Sequence, residues 1–154
     1  MTPAVTLLEK RGLAHRVLTY DHDTTATDYG DEAVAALDLP ADAVFKTLVA
    51  SVDGAATVAV VPVAGRLDLK ALARAAGAKK ATMADPADAE RITGYVVGGI
   101  SPLGQKRRLP TFIDESARAH ERIYVSAGRR GVEIELAPDV LLDASGGAFA
   151  PIGT

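Results

Sequence analysis

Apolar and polar residues alternate with two periods along this chain, and the changes of period mark its elements. Val5, Leu7 and Leu8 form one apolar face. With Thr2 ahead of Pro3 and Gly12 behind, they predict an opening helix that Thr2 caps and Gly12 stops. His15 to Tyr20 reads as a strand, Asp21 to Thr27 as a polar loop, and Asp31 to Leu37 as a short helix that Pro40 closes. Val44–Val52 and Thr57–Val63 are β-branched runs joined by Asp53-Gly54, a hairpin signal. Pro62 implies that the second run frays or meets a sheet edge near its end. Asp68 begins a helix that runs to Ala76, and Asp85-Pro86 begins another that ends near Gly94. Tyr95–Val97 is expected as a short strand, followed by the segment Gly98 to Gly104. Thr111–Asp114 and Ile123–Ser126 read as strands, with a turn at Gly128–Gly131. Val132, Ile134 and Leu136 then alternate with Glu133 and Glu135 in a half-buried strand. A short helix over Pro138–Leu142 and a brief tail finish the pattern.

This makes about six or seven strands and about five helices without a repeating strand–helix alternation, which predicts α+β with a mixed, mostly antiparallel sheet. No linker or repeat interrupts residues 1–154, so one domain is expected, as the length of 154 residues also suggests. A formal charge of −3 excludes a strongly basic nucleic-acid coat. The longest apolar stretches, such as Ala55–Ala64, are too short to span a bilayer. Glu9, Lys10 and Arg11 interrupt the start where a signal peptide would be apolar, so a cytoplasmic location is expected. With no cysteine, the chain has no disulfide, thiolate metal ligand or cysteine nucleophile. Its three histidines, His15, His22 and His120, fit no metal-ligand spacing. No metal or organic cofactor is expected.

Two segments carry unusual chemistry. Gly98-Gly99-Ile100-Ser101-Pro102-Leu103-Gly104 is costly in folding entropy and offers little to pack. Such a loop either crosses tightly between strands or turns backbone N–H groups on an anion. It lacks the Gly-Lys-Ser/Thr of a phosphate-binding P-loop. Lys46 lies within the apolar run Val44-Phe45-Lys46-Thr47-Leu48. A lysine there either snorkels from a sheet edge or meets a ligand or an anion. Ser101, Ser126 and Thr47 supply hydroxyls, and no histidine spacing pairs them into a hydrolase triad. Lys79-Lys80, Lys106-Arg107-Arg108 and Arg129-Arg130 are either separate solvated turns or a local phosphate-binding rim.

Taken in order, these residues closely resemble the YbaK/EbsC family of aminoacyl-tRNA deacylases, and within it the Cys-tRNA(Pro) deacylases. The resemblance covers nearly the whole chain. Its carriers include Tyr20-Asp21-His22-Asp23, Gly30-Asp31-Glu32, Lys46-Thr47-Leu48, Gly77-Ala78-Lys79-Lys80, Met83-Ala84-Asp85-Pro86, Val97 to Gln105, and Tyr124-Val125-Ser126. It implies a barrel-like sheet surrounded by helices and a freestanding enzyme that clears cysteine from tRNA for proline. Size discrimination between two similar side chains yields only about 1–3 kcal/mol, which is why a clearing step is needed.

The resemblance also implies the site. Lys46, Gly98, Gly99 and Ser101 are its expected catalytic residues, and Tyr20, Thr47, Ile100, Gly104, Ser126 and Glu133 its substrate-binding ones. Relatives often carry Asp where this chain has Glu133. The implied mechanism uses the substrate's own cysteine thiolate to attack its ester, with the glycine loop and Lys46 positioning it. Implied partners are aminoacyl-tRNA and, transiently, prolyl-tRNA synthetase, with no membrane. Two alternatives stand beside this. One is an Ala-tRNA(Pro) or broader deacylase that uses water. The other is a non-catalytic tRNA- or nucleotide-binding module.

Overall fold

The computed structural model describes residues 1–23, 25 and 28–154. Thr24, Ala26 and Thr27, part of the expected polar loop, lie outside the described residues. Helix α1 spans Pro3–Lys10, and the Thr2 hydroxyl accepts from the Val5 N–H, as the cap signal predicts. Strand β1 (Arg16–Thr19) is followed by α2, Tyr29–Leu37. That helix starts before the expected Asp31 because the Asp28 side chain caps it, accepting from the Asp31 N–H at 3.1 Å.

Strands β2 (Phe45–Val52) and β3 (Ala55–Pro62) form the expected hairpin. Asp53 and Gly54 turn it with φ of 48° and 84°, the twist that suits a two-residue loop. The Asp53 carboxylate also receives the N–H groups of Lys79 and Lys80 at 3.0 and 2.9 Å. It thereby draws the chain after α3 (Leu69–Ala75) onto the hairpin, where β4 (Ala81–Met83) pairs with the end of β2. This strand was not expected, since three residues are too few to display a period.

Helix α4 (Pro86–Thr93) follows, then β5 (Thr111–Asp114), β6 (Ile123–Arg129), β7 (Val132–Leu136), α5 (Pro138–Ser145) and β8 (Ala148–Ala150). Strand β6 runs past the expected Ser126, and α5 continues past Leu142. Strand β8 replaces the expected tail. It pairs in parallel with β5, and its exit is tied down by the buried Asp114, whose Oδ1 accepts from Ile152 and Gly153.

The strands form two sheets, ordered β1-β7-β6 and β4-β2-β3-β5-β8. All pairings are antiparallel except β3–β5 and β5–β8. A parallel bridge between Val44 and Tyr124 joins the sheets into a barrel-like wrap. Phe45, Val58, Val60 and Ile113 of the large sheet pack there against Val125, Ala127, Ile134 and Leu136 of the small one, with Leu8 and Leu141 closing the ends. On the opposite face of β3, Ala59 and Val61 pack with Leu72 of α3 and Ile152. Burial on both faces explains why β3 reads as a continuous valine-rich run. Strand β5 pairs with β3 only through Val60, so Pro62 lies beyond its neighbour's end and breaks no ladder bond.

Tyr95–Val97 is not a strand, contrary to expectation. Its polar groups are met by side chains instead of a ladder. The Val97 N–H donates to Glu90, the Val97 carbonyl accepts from Arg130, and the Tyr95 hydroxyl donates to the Leu103 carbonyl at 2.6 Å. Tyr95 itself is buried with Val49, Ala89 and Ile100 in a third apolar cluster. Burial pushes its phenol up to about 12, so it stays a neutral donor.

The β6 ladder is irregular between Ser126 and Arg129, and Gly128 faces the Tyr95 ring with φ of 109°. A Cβ at Gly128 would stand 2.5 Å from that ring. Gly128→Ala therefore adds backbone strain to overpacking, and is expected to lower stability by about 2–3 kcal/mol. Urea unfolding of the two proteins checks this, and an unchanged midpoint would refute it.

Candidate active site

The pairing of β2 leaves a gap in its outer edge. The Val63 N–H donates to the Val44 carbonyl, which sets the ladder's parity. Residues 44, 46 and 48 then turn their main chain toward β3, and 45, 47 and 49 turn theirs away. Consistently, the Val49 carbonyl accepts from Ala84 on the outer side. Strand β4 pairs only from Ala50 onward, and β6 bridges only at Val44. Between those points the main chain of Thr47 faces outward, without a strand partner among the described residues.

A cavity of about 380 Å³ opens at that gap. Val44 and residues Phe45–Val49 of β2 form its base. Asp28, Tyr29 and Gly30 at the start of α2 form one wall, Ser126 and Glu133 another, and Val97, Gly98 and Ile100 a third. One end is apolar, lined by Met83, Ala84, Pro86 and Ala89. The other end carries the polar groups.

Glu133 dominates that polar end. It sits opposite Ser126 on β6 and Leu18 on β1, on the face of β7 turned away from the main core. Simple alternation would place it toward solvent, but it is only 8% exposed. Burial pushes its carboxyl up to about 8, so it is largely protonated at neutral pH. Among the described residues its buried Oε2 has no hydrogen-bond partner, and the same holds for Thr47 Oγ1. Two such orphans in one cavity are notable, since buried polar atoms are normally satisfied.

Lys46 reaches along the cavity and donates from Nζ to the Gly65 carbonyl at 3.0 Å. Among the described residues it makes no ion pair. The hydrogen bond and charge of Asp28 raise the Asp31 carboxyl, and the Lys46 charge opposes the shift. Ser126 Oγ accepts from the Gly128 N–H at 3.2 Å.

The glycine loop divides its residues between two tasks. The N–H groups of Gly98 and Ile100, both cavity-lining, have no intramolecular acceptor among the described residues. Gly98 adopts φ of 89°, and a Cβ there would stand 2.4 Å from the Tyr29 ring. Gly99 backs onto the main chain of Arg129 and Arg130, and Gly104 onto Pro3 and Ala4 of α1. Ser101 is fully buried, accepting from the Leu103 N–H while its carbonyl accepts from Gln105.

Of the expected site residues, then, Lys46, Thr47, Gly98, Ile100, Ser126 and Glu133 meet at the cavity. Gly99, Ser101 and Gly104 do not line it, and instead hold the loop's shape. Tyr20 does not line it either, although burial and the Glu133 charge both push its phenol up, which puts the two side chains near each other. Its N–H donates to Gly131. Of the basic residues, Lys46 alone lines this cavity. Arg107 and Arg108 line a groove with Arg11 and Asp143 beside α1. Helix α1 packs on the core face of β6, the side opposite Ser126.

Sequence reasoning missed Tyr29 and Arg130. The Arg130 guanidinium lies 4.3 Å from the Tyr29 ring centroid, a contact worth about 0.5–2 kcal/mol. Beside it, His22 Nδ1 and Glu32 are 2.8 Å apart. The Asp28 cap was the available clue that Tyr29 starts a helix, whereas nothing local pairs Arg130 with either segment it touches.

Comparison with known proteins gives the family and the fold. Residues 24–144 match the model of the aminoacyl-tRNA editing domain. EbsC of Enterococcus faecalis, assigned as a Cys-tRNA(Pro)/Cys-tRNA(Cys) deacylase, is 39% identical over 99% of this chain and 93% of its own. A crystal structure assigned as a trans-editing enzyme for prolyl-tRNA synthetase superposes with a TM-score of 0.87 at 25% identity, covering 99% of this chain and 95% of that one. The crystal structure of hypothetical protein APE2540 superposes with a TM-score of 0.88, also at 25% identity, covering 99% of both chains. Among the described residues no helix is long and apolar enough to cross a membrane. The chain belongs to the aminoacyl-tRNA editing domain family, whose members are deacylases.

Proposed function

We propose that this enzyme removes cysteine from Cys-tRNA(Pro), acting in trans to prolyl-tRNA synthetase. The observation that carries the reading is the pair of buried orphan oxygens, Thr47 Oγ1 and Glu133 Oε2, beside one cavity. Such a cavity calls for an occupant with donors and acceptors of its own, and an aminoacyl ester has both. The identity to EbsC supports cysteine as the amino acid.

In this reading Glu133, kept neutral by burial, donates a hydrogen bond to the aminoacyl group, and Thr47 accepts or donates another. The free N–H groups of Gly98 and Ile100 receive the ester oxygen as it gains charge. Lys46 takes the terminal ribose-phosphate in exchange for the Gly65 carbonyl. The substrate thiol, with an ordinary value of about 8.5, gives its proton to solvent. Its sulfur then bonds to the ester carbon, the C–O bond breaks, and the ribose oxygen leaves as a hydroxyl after taking a proton from solvent. The product is a thiolactone that water opens to cysteine. Holding sulfur and carbon in attack geometry supplies on the order of 7–11 kcal/mol at best. The enzyme then needs no nucleophile of its own.

Three expectations follow from this arrangement. Cys-tRNA(Pro) is expected to lose its amino acid quickly, and Ser-tRNA(Pro) and Ala-tRNA(Pro) slowly, in side-by-side deacylation assays. Fast loss of alanine would establish water attack, and binding without loss from any of them would establish a non-catalytic module. Lys46→Ala is expected to lower kcat/KM for the cysteinyl substrate about a hundredfold with little change in Tm; wild-type turnover would remove the lysine from the site.

The third concerns Glu133. Its folded-state value of about 8 lies above the ordinary carboxyl value of 4.5, so the unfolded chain binds fewer protons between those limits. Stability therefore falls as pH rises through that window, by on the order of a few kcal/mol. Glu133→Gln, which cannot ionise, is expected to flatten this slope and to be the more stable protein at pH 8.5. Thermal melts across pH check it, and parallel slopes in the two proteins would refute it.

A further inference from the structure

We infer that Arg130 is a positioning residue, fixing the Val97–Gly98 turn so that the free N–H groups of the glycine loop meet the substrate; the inference rests on the deacylase reading above. Arg130 lies in the turn between β6 and β7 and does not line the cavity. Its guanidinium joins three segments that are far apart in sequence. Nε and Nη2 both donate to the Val97 carbonyl, at 3.1 and 2.5 Å. The plane of the group lies over the Tyr29 ring at the start of α2. Gly98 fits between them, since a Cβ there would stand 2.8 Å from Nε as well as against the ring.

The peptide groups on both sides of Val97 are thereby held. Its N–H donates to Glu90 at 2.8 Å, and its carbonyl is forked by Arg130. The next peptide is held in turn, as the Gly99 N–H donates to the Val96 carbonyl at 2.8 Å. Among the described residues, the Gly98 and Ile100 N–H groups remain free, now at fixed positions. Among the described residues no carboxylate pairs with Arg130, so its charge is met by the Val97 carbonyl and the Tyr29 ring face. A planar, permanently charged fork can stack and donate twice at once, which a lysine ammonium cannot.

Arg130→Lys keeps the charge and removes the fork. On Cys-tRNA(Pro) it is expected to lower kcat about ten- to a hundredfold, as a small displacement of an oriented group does, with KM and Tm nearly unchanged. The salt dependence of kcat/KM is also expected to stay as in wild type. A residue that binds tRNA phosphate would instead raise KM and lower the salt slope by about 1 with kcat intact, and that result overturns the proposal. So does full kcat in the folded fraction of a less stable variant, the sign of a merely structural role. Hydrogen exchange at the Gly99 amide tests the clamp without any assay of activity. It is expected to quicken about tenfold or more in the variant, because local opening exposes it. If wild type deacylates none of the substrates, the functional reading fails, and the exchange rate still decides whether Arg130 holds the turn. Unchanged exchange overturns the inference. Should Arg130→Lys not fold, Arg130→Gln takes its place in both measurements.

Discussion

The site depends on a strand that is hydrogen-bonded along one edge and interrupted along the other. Strand β2 is paired with β3 over its full length, which fixes its register and curvature. On the outer edge it is held at Val44 by β6 and from Val49 onward by Ala84 and β4. An outer edge open at Thr47 would be a liability in a free sheet. Here it is roofed by the start of α2 and by the loop after α4, and the space between roof and edge is the cavity. Lys46 and Thr47 point to different sides of the strand by simple alternation, yet both reach the cavity because it wraps around that open edge.

Roofing the edge requires main chain to approach main chain and ring. Side chains would fill the space, so the closest approaches fall on glycine, with Gly98 against Tyr29 and Gly128 against Tyr95. The same roof makes Glu133 a buried acid. Strand β7 alternates as a half-buried strand should, with Ile134 and Leu136 inward and Glu133 and Glu135 outward. Glu135 finds Arg16 and Arg122 at the surface. Glu133, two residues earlier on the same face, lies under the roof instead and pairs with no cation among the described residues. Its desolvation is therefore uncompensated, and the carboxyl responds by holding its proton.

What was legible in the sequence is what local chemistry determines. Thr2-Pro3, Asp68 and Asp85-Pro86 start helices, and Asp53-Gly54 turns a hairpin, because each acts within four residues. Lys46 stood out because a charge amid β-branched residues conflicts with its surroundings, and such conflict is what a site leaves behind. Strands β4 and β8 were not legible. Each is three residues long and exists because a distant aspartate, Asp53 or Asp114, draws the chain to a waiting edge. Tyr95–Val97 misled because its β-branched residues satisfy their backbone through Glu90 and Arg130, not through a neighbouring strand. The glycine run marked the right loop but could not divide its residues, since Gly98 beside the cavity and Gly104 beside α1 look alike in sequence. The resemblance to relatives named Ser101 for the same reason, and the structure turns its hydroxyl onto Leu103.

The polar groups of the cavity also bear on how selectivity arises. A hydrolase that attacks with its own hydroxyl needs a base within reach of it. Here Ser126 accepts from Gly128, and the Thr47 hydroxyl has no partner among the described residues. His22 is turned to Glu32 and His15 to the Leu13 carbonyl. Among the described residues no histidine bonds a cavity hydroxyl. A site without an activated nucleophile can still tell amino acids apart if the substrate must bring the attacking group. On the proposed reading that group is a thiol, and the discrimination against serine is one of acidity, not of size. The apolar end of the cavity then has no need to measure a methylene, a task worth only about 1–3 kcal/mol. It needs only to hold the ester still while the substrate reacts with itself, and rigid placement of the loop over β2 is the property the fold supplies.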